Sequence, residues 1–279
     1  MYLKKNLILA LFCFFVFLNF SRAYSDTTTV FVGDTNTYQG YTQTEVPVYI
    51  ENIDQNIQGF TLVFSISSGD RAYFTTDHFN VSIDTVCRGT IRPCPADSIV
   101  EIDTTISRVL KIDKSGSLTS NFSTLEARGD AGDTSSDYCV SANVLGLAPA
   151  SQPIGPGFGL LFKLYLDVLC IPDTSLPDTM TYINVYATLA QGDTLVREKK
   201  TLPGRLFIFK TKYGDANADN KITVADVVYL ISYLFKGGPP PSPLIKGDAN
   251  GDGKVTVADV VYLISYLFKG GPPPHCYGT

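Results

Sequence analysis

Asp215-Ala-Asn-Ala-Asp-Asn-Lys-Ile-Thr-Val-Ala-Asp226 returns later in the chain as Asp248-Ala-Asn-Gly-Asp-Gly-Lys-Val-Thr-Val-Ala-Asp259. Each copy runs on into Val-Val-Tyr-Leu-Ile-Ser-Tyr-Leu-Phe-Lys-Gly-Gly-Pro-Pro-Pro. Oxygen side chains at loop positions 1, 3, 5 and 12 are the mark of a calcium loop. Ca²⁺ takes six to eight oxygens, and alternate residues of a tightly curled loop point inward. The expected ligands of the first loop are Asp215, Asn217, Asp219, the Lys221 carbonyl, Thr223 through a water, and Asp226. Those of the second are Asp248, Asn250, Asp252, the Lys254 carbonyl, Thr256 and Asp259. The pattern predicts two bound calcium ions. Gly253 fills position 6, where the backbone turns sharply, and Asn220 fills it in the first copy. Asn tolerates positive φ better than most residues. Two loops in register, each opening a helix, separate this reading from a pair of polar surface turns.

Each loop feeds one helix and has no obvious helix before it. Thr223 and Asp226, like Thr256 and Asp259, have capping-box spacing, although a metal would claim the Asp. Val227, Leu230, Ile231 and Leu234 share one face at helical period. Gly237 and Gly238, then three prolines, stop the helix. Val228, Tyr229, Tyr233 and Phe235 make the other faces apolar too, so this helix buries more than one face. The sister helix takes one. The rest calls for a partner surface or, alternatively, for the N-terminal part of the same chain.

A duplicated loop-plus-helix calcium repeat without the entering helix, and with Asp rather than Glu at position 12, resembles a type I dockerin. The resemblance covers Tyr213 to Pro274. It implies a small all-α domain at 213–274 with two EF-hand-like calcium loops, folded by calcium and docking into a cohesin domain on another protein. It also implies that positions 10 and 11, here Val224, Ala225, Val257 and Ala258, take part in recognition. The near-identical halves imply pseudo-twofold symmetry, so that either copy can face the partner.

At the other end, Lys4 and Lys5 precede an apolar run from Leu7 to Phe20, followed by Ser21-Arg22-Ala23. This predicts a signal peptide over 1–23, cleaved after Ala23, and a secreted, extracellular or cell-surface protein with no transmembrane span after cleavage. Export sets the redox context for Cys87, Cys94, Cys139, Cys170 and Cys276. Cys87–Cys94 is a plausible closed loop and Cys139–Cys170 a second bridge, though sequence does not fix the pairing. Cys276 is then left over in the tail 275–279 as a free thiol or an intermolecular link. No Cys-x-x-Cys pair or clustered His supports zinc.

Residues 24–210 show alternation and no sustained helical period. Val46, Val48 and Ile50 alternate with polar neighbours, followed by Phe60, Leu62, Phe64 and Ile66. The runs Phe158 to Val168, Ile183 to Leu189 and Leu206 to Phe209 continue it, with shorter runs at Ile99–Ile102 and Val109–Ile112. Seven to nine strands between Gly, Pro, Asp and Ser turns predict a mainly β chain built on a β-sandwich. Glu45 to Ile53, Ile57 to Ile66 and Gly159 to Val168 resemble strands of cohesin and related carbohydrate-binding sandwiches, which implies a cohesin-like jelly roll.

Chemistry in the sandwich is sparse. It has one His, His78, no nucleophile elbow and no zinc helix. Its Glu residues, Glu45, Glu51, Glu101, Glu126 and Glu198, fall at strand ends or solvated positions, which argues against a glycosidase pair. The chain has no Trp, but Tyr41, Tyr49, Tyr73, Tyr165, Tyr182 and Tyr186 are candidates for a polysaccharide-binding face. A formal net charge of −5 and no basic stripe argue against nucleic acid. The expectation is a secreted, non-catalytic assembly protein that docks on a cohesin-bearing partner through calcium. The alternatives are a component of extracellular polysaccharide degradation, and a structural module whose repeat docks on its own sandwich.

Overall fold

The computed structural model describes residues 27–67, 71–87, 100–129, 139–170 and 178–276, with main chain alone for 80–87 and 100–107. The expected signal segment and Cys94 lie outside the described residues. Two sheets face each other. In chain order the strands are β1 (Thr28–Val32), β2 (Thr35–Tyr38), β3 (Thr44–Asn52), β4 (Gly59–Ile66) and β5 (Ala72–Phe74). Then follow β6 (Thr76–Cys87), β7 (Val100–Leu110), β8 (Ile112–Asp113), β9 (Thr124–Gly129) and β10 (Ser141–Leu147). The last five are β11 (Gly157–Val168), β12 (Thr179–Gln191), β13 (Thr194–Leu195), β14 (Lys199–Leu202) and β15 (Gly204–Phe209). One sheet runs β14-β1-β3-β11-β5 with β8 beside β11; the other runs β2-β15-β12-β4-β10-β9-β7-β6 with β13 beside β12. Short strands added at the sheet margins account for the excess over the seven to nine expected.

The core forms where the alternating apolar faces meet. Val46, Val48 and Ile50 of β3 and Leu164 and Leu166 of β11 are buried against Phe60, Leu62 and Phe64 of β4. Phe162 bridges the layers, with its ring centroid 6.0 Å from that of Phe60 and 6.2 Å from that of Phe64. Strict alternation along β11 fails at one place. The register with β3 shifts between Leu160 and Phe162, so Leu161 and Phe162 are both buried while Phe158 is 58% exposed. One extra residue in a bulge inverts the phase of everything before it.

The chain leaves β15 at Phe209 and enters the calcium repeats at Tyr213. Helices α1 (Val224–Lys236) and α2 (Val257–Lys269) pack on each other. Their shared core is Ala216, Val227, Leu230, Ala249, Val260 and Leu263. Ile231 and Leu234 are only half-buried, at the edge of this contact. The Tyr213 hydroxyl donates to the Gln39 carbonyl at 2.6 Å, and Tyr213, Ile245 and Cys276 form a small cluster with Tyr38 and Cys170. The repeats therefore meet the sandwich by their base, not by the helix faces. This corrects the alternative in which the apolar helices pack on the N-terminal part.

The cysteines differ from expectation. Cys170 pairs with Cys276, Cα atoms 5.8 Å apart, and not with Cys139. Cys139 is a buried thiol that donates to the Ser141 carbonyl at 2.9 Å. The partners are 106 residues apart in sequence and meet because the base of the repeats lies over the end of β11. Of Cys87 only the main chain is described.

Candidate metal centre and docking surface

In each loop, alternate oxygen side chains organise the backbone around position 1. Asn220 N–H donates to Asp215 Oδ2 at 3.2 Å, and Gly253 N–H donates to Asp248 Oδ2 at 2.9 Å. The Asn217 and Asn250 side-chain oxygens each accept from the N–H of the residue two places on, at 3.0 Å. Asp219 and Asp252 do the same for Lys221 and Lys254, at 2.8 and 2.9 Å. Position 12 closes the ring. Asp226 accepts from Asn217 N–H at 3.1 Å and Thr223 N–H at 2.8 Å; Asp259 accepts from Ala249, Asn250 and Thr256 at 2.9, 3.2 and 2.7 Å. Thr223 and Thr256 cap the helices, and Asp226 and Asp259 complete the capping boxes that the spacing predicts.

Burial of these carboxylates bears on a cation. Asp215, Asp226, Asp248 and Asp259 are at most 1% exposed. Burial pushes the Asp248 carboxyl up to about 6, with the charges of Asp259 and Asp252 adding to it, and burial likewise raises Asp259. Asp215 Oδ1 is buried without a hydrogen-bond partner. Lys246 Nζ is 3.5 Å from the other oxygen of Asp215. Buried carboxylates with an orphaned oxygen are costly unless a cation joins them, so the residues present fit a hard, oxygen-seeking metal. Among the described residues no three His, Cys, Asp or Glu side chains gather as a metal group by themselves. Positions 1 and 12 are buried, positions 5 are exposed at Asp219 and Asp252, and Asn217 and Asn250 lie between.

Symmetry extends beyond the loops. Tyr229 donates to the Pro240 carbonyl at 3.3 Å and Tyr262 to that of Pro273 at 3.2 Å. The apolar residues left outside the shared core match in pairs: Val224 and Val257 are 49% and 50% exposed, Val228 and Val261 both 60%, Phe235 and Phe268 both 65%. Ala225 and Ala258 are exposed beside them. Both copies thus present the same apolar strip, and the sandwich covers neither.

Residues 213–268 match the family model of the dockerin type I domain. Dockerin domains bind calcium. The sandwich is similar to solved cohesins. One is a non-cellulosomal cohesin from the hyperthermophilic archaeon Archaeoglobus fulgidus, with 16% identity, a TM-score of 0.39, and coverage of 70% of this chain and 99% of that one. A chain of a type I cohesin–dockerin complex from Clostridium thermocellum is 14% identical, with a TM-score of 0.43 and coverage of 66% and 94%. A cohesin from Acetivibrio cellulolyticus, solved in complex with a dockerin, is 13% identical, with a TM-score of 0.41 and coverage of 65% and 99%. No curated protein sequence matches the chain. Among the described residues no helix is long and apolar enough to cross a membrane.

The candidate sugar-binding tyrosines do not form one row. Tyr186, Tyr182 and Tyr41 are 66%, 42% and 40% exposed, while Tyr49, Tyr73 and Tyr165 are half-buried. Sequence reasoning missed a different cluster. Phe31, Tyr49 and Phe158 sit on neighbouring strands with centroids 5.4, 5.6 and 5.9 Å apart and planes within 16–23° of parallel. Of the Glu residues, Glu45 pairs with Lys163 at 2.7 Å and Glu126 with Arg128 at 2.9 Å.

Proposed function

We propose that this chain is a secreted, non-catalytic assembly protein whose dockerin segment binds two calcium ions and docks it onto a cohesin-bearing partner. The carrying observation is the pair of matched apolar strips that run along α1 and α2. Solvent-exposed valines and phenylalanines, repeated in two copies, are what a partner surface is built from. When bound, calcium supplies positive charge and fixed oxygen coordination. Asp215, Asn217, Asp219, Lys221, Thr223 and Asp226 would hold one ion, and Asp248, Asn250, Asp252, Lys254, Thr256 and Asp259 the other. Holding the loops holds the helix starts, and so Val224, Ala225, Val257 and Ala258, in one arrangement. The test is a pull-down of the full chain on a panel of immobilised cohesin domains, with calcium and with chelator. Calcium-dependent retention on at least one cohesin supports the reading; equal retention in chelator overturns its calcium dependence.

A second reading, polysaccharide binding by the sandwich, is favoured by the Phe31, Tyr49 and Phe158 cluster. Three near-parallel rings at the corners of a triangle offer flat apolar surface to the C–H face of a sugar ring. Retardation in gels containing soluble polysaccharides, abolished by Phe158→Ala, is the expected result. Wild-type mobility unchanged in every glycan tested would remove this reading.

A further inference from the structure

The two repeats end alike but are held differently. After α1, Pro241 packs over Gly247, the residue before Asp248: a Cβ at Gly247 would lie 3.0 Å from the Pro241 ring. After α2, Pro274 packs over Gly214, the residue before Asp215, where a Cβ would lie 2.8 Å from the Pro274 ring. Each repeat therefore covers the entrance of the other's loop, and Gly214 N–H donates across to the Lys246 carbonyl at 2.8 Å. The segment after α1 is fixed at both ends, because the chain continues from it into the second loop. The segment after α2 runs instead to the sandwich. Its far end is held by the Cys170–Cys276 bond.

That bond also sets the tail against the second loop. A Cβ at Gly251 would lie 2.9 Å from the Cys276 carbonyl and 3.0 Å from that of His275. The Tyr262 hydroxyl is 3.1 Å from His275 Nδ1. On the sandwich side, Gly40 has φ +73°, and a Cβ there would come within 2.9 Å of Cys276 Cβ and would clash with the Tyr213 hydroxyl. That hydroxyl is the donor to the Gln39 carbonyl. The first residue of the dockerin segment and its tail are thus pinned to one spot on the sandwich.

We infer that the Cys170–Cys276 disulfide is a clasp that keeps both calcium loops in binding shape, so that calcium affinity depends on the oxidation of this one bond. The inference rests on the calcium reading above. A cross-link removes disordered alternatives of the metal-free segment, and apparent affinity scales with the fraction already competent to bind. By reciprocity, bound calcium makes the bond harder to reduce. A dithiol opens it by exchange: the reductant gives up two electrons and two protons, closes to its own disulfide, and leaves Cys170 and Cys276 as thiols.

The experiment is calorimetric calcium titration of the full chain. Four samples are compared: oxidised wild type, wild type with dithiothreitol, the Cys170→Ser/Cys276→Ser variant, and oxidised Pro274→Ala. Relative to oxidised wild type, the serine variant should bind calcium roughly tenfold more weakly, and reductant should not change it further. Reduced wild type should match the serine variant. Pro274→Ala, which keeps the bond but removes the ring over Gly214, should be weakened by a smaller factor. Equal affinities for oxidised wild type and a folded serine variant overturn the clasp. If the serine variant does not fold, equal affinities of wild type with and without reductant overturn it. Absence of any calcium binding by oxidised wild type would instead overturn the calcium reading, and the clasp with it.

Discussion

Ala218 and Asn220 are the two residues at which the calcium loops differ in backbone cost. Both have positive φ, +62° and +66°, where the second loop has Gly251 and Gly253 at +68° and +80°. A side chain in the left-handed region costs about 1 kcal/mol, less for Asn. Lys212 Nζ donates to the Asn220 carbonyl at 2.6 Å, which holds that turn from outside the loop. Replacing Ala218 or Asn220 with Gly should tighten the first site, by up to roughly fivefold for Ala218→Gly and less for Asn220→Gly. Calcium titration checks this; two sites left unchanged by both substitutions would remove the strain argument. Position 6 was legible in the sequence because a calcium loop needs a sharp turn there. Position 4 was not, because nothing in the ligand chemistry singles it out.

Strand β11 carries the matching lesson for elements. Its sequence reads as one alternation from Phe158 to Val168, yet the bulge between Leu160 and Phe162 puts Phe158 outside and both Leu161 and Phe162 inside. Leu160, Leu161 and Phe162 are all apolar, so nothing in the residues marks where the phase slips. Phe162→Ala should therefore destabilise the sandwich by about 3–5 kcal/mol, whereas Phe158→Ala should cost under ~1 kcal/mol. Denaturant melts of the two variants decide it, and comparable losses in both would mean that the alternation is unbroken. The helices were easier to read. Their caps, ends and buried face are set by residues within a few places of one another, so Thr223, Asp226 and Gly237 stand where local spacing put them.

At the scale of the molecule, the two modules differ in what holds them up. The sandwich has a continuous core spanning both sheets, while the dockerin segment buries only Ala216, Val227, Leu230, Ala249, Val260 and Leu263 between its repeats. Its buried carboxylates oppose folding without a cation. Chelation should therefore abolish most helical circular dichroism and leave the β signal; helicity unmoved by chelator would show that the segment does not need metal. The disulfide that joins the modules was not legible, because it pairs cysteines that only the docked arrangement brings together. That arrangement also frames the sharpest expectation. The seat at Tyr213, Ile245 and Cys276 leaves the strips on α1 and α2 equally open, so either copy should serve a partner. Charged residues in place of Val224 and Ala225, or of Val257 and Ala258, should each leave cohesin binding within a few-fold of wild type. Changing all four should abolish it, since an unpaired charge buried at an apolar contact costs several kcal/mol. Circular dichroism in calcium must first show that each variant folds. Binding lost with one pair alone would mean that a single orientation is used, and binding kept by the quadruple variant would place the docking surface elsewhere.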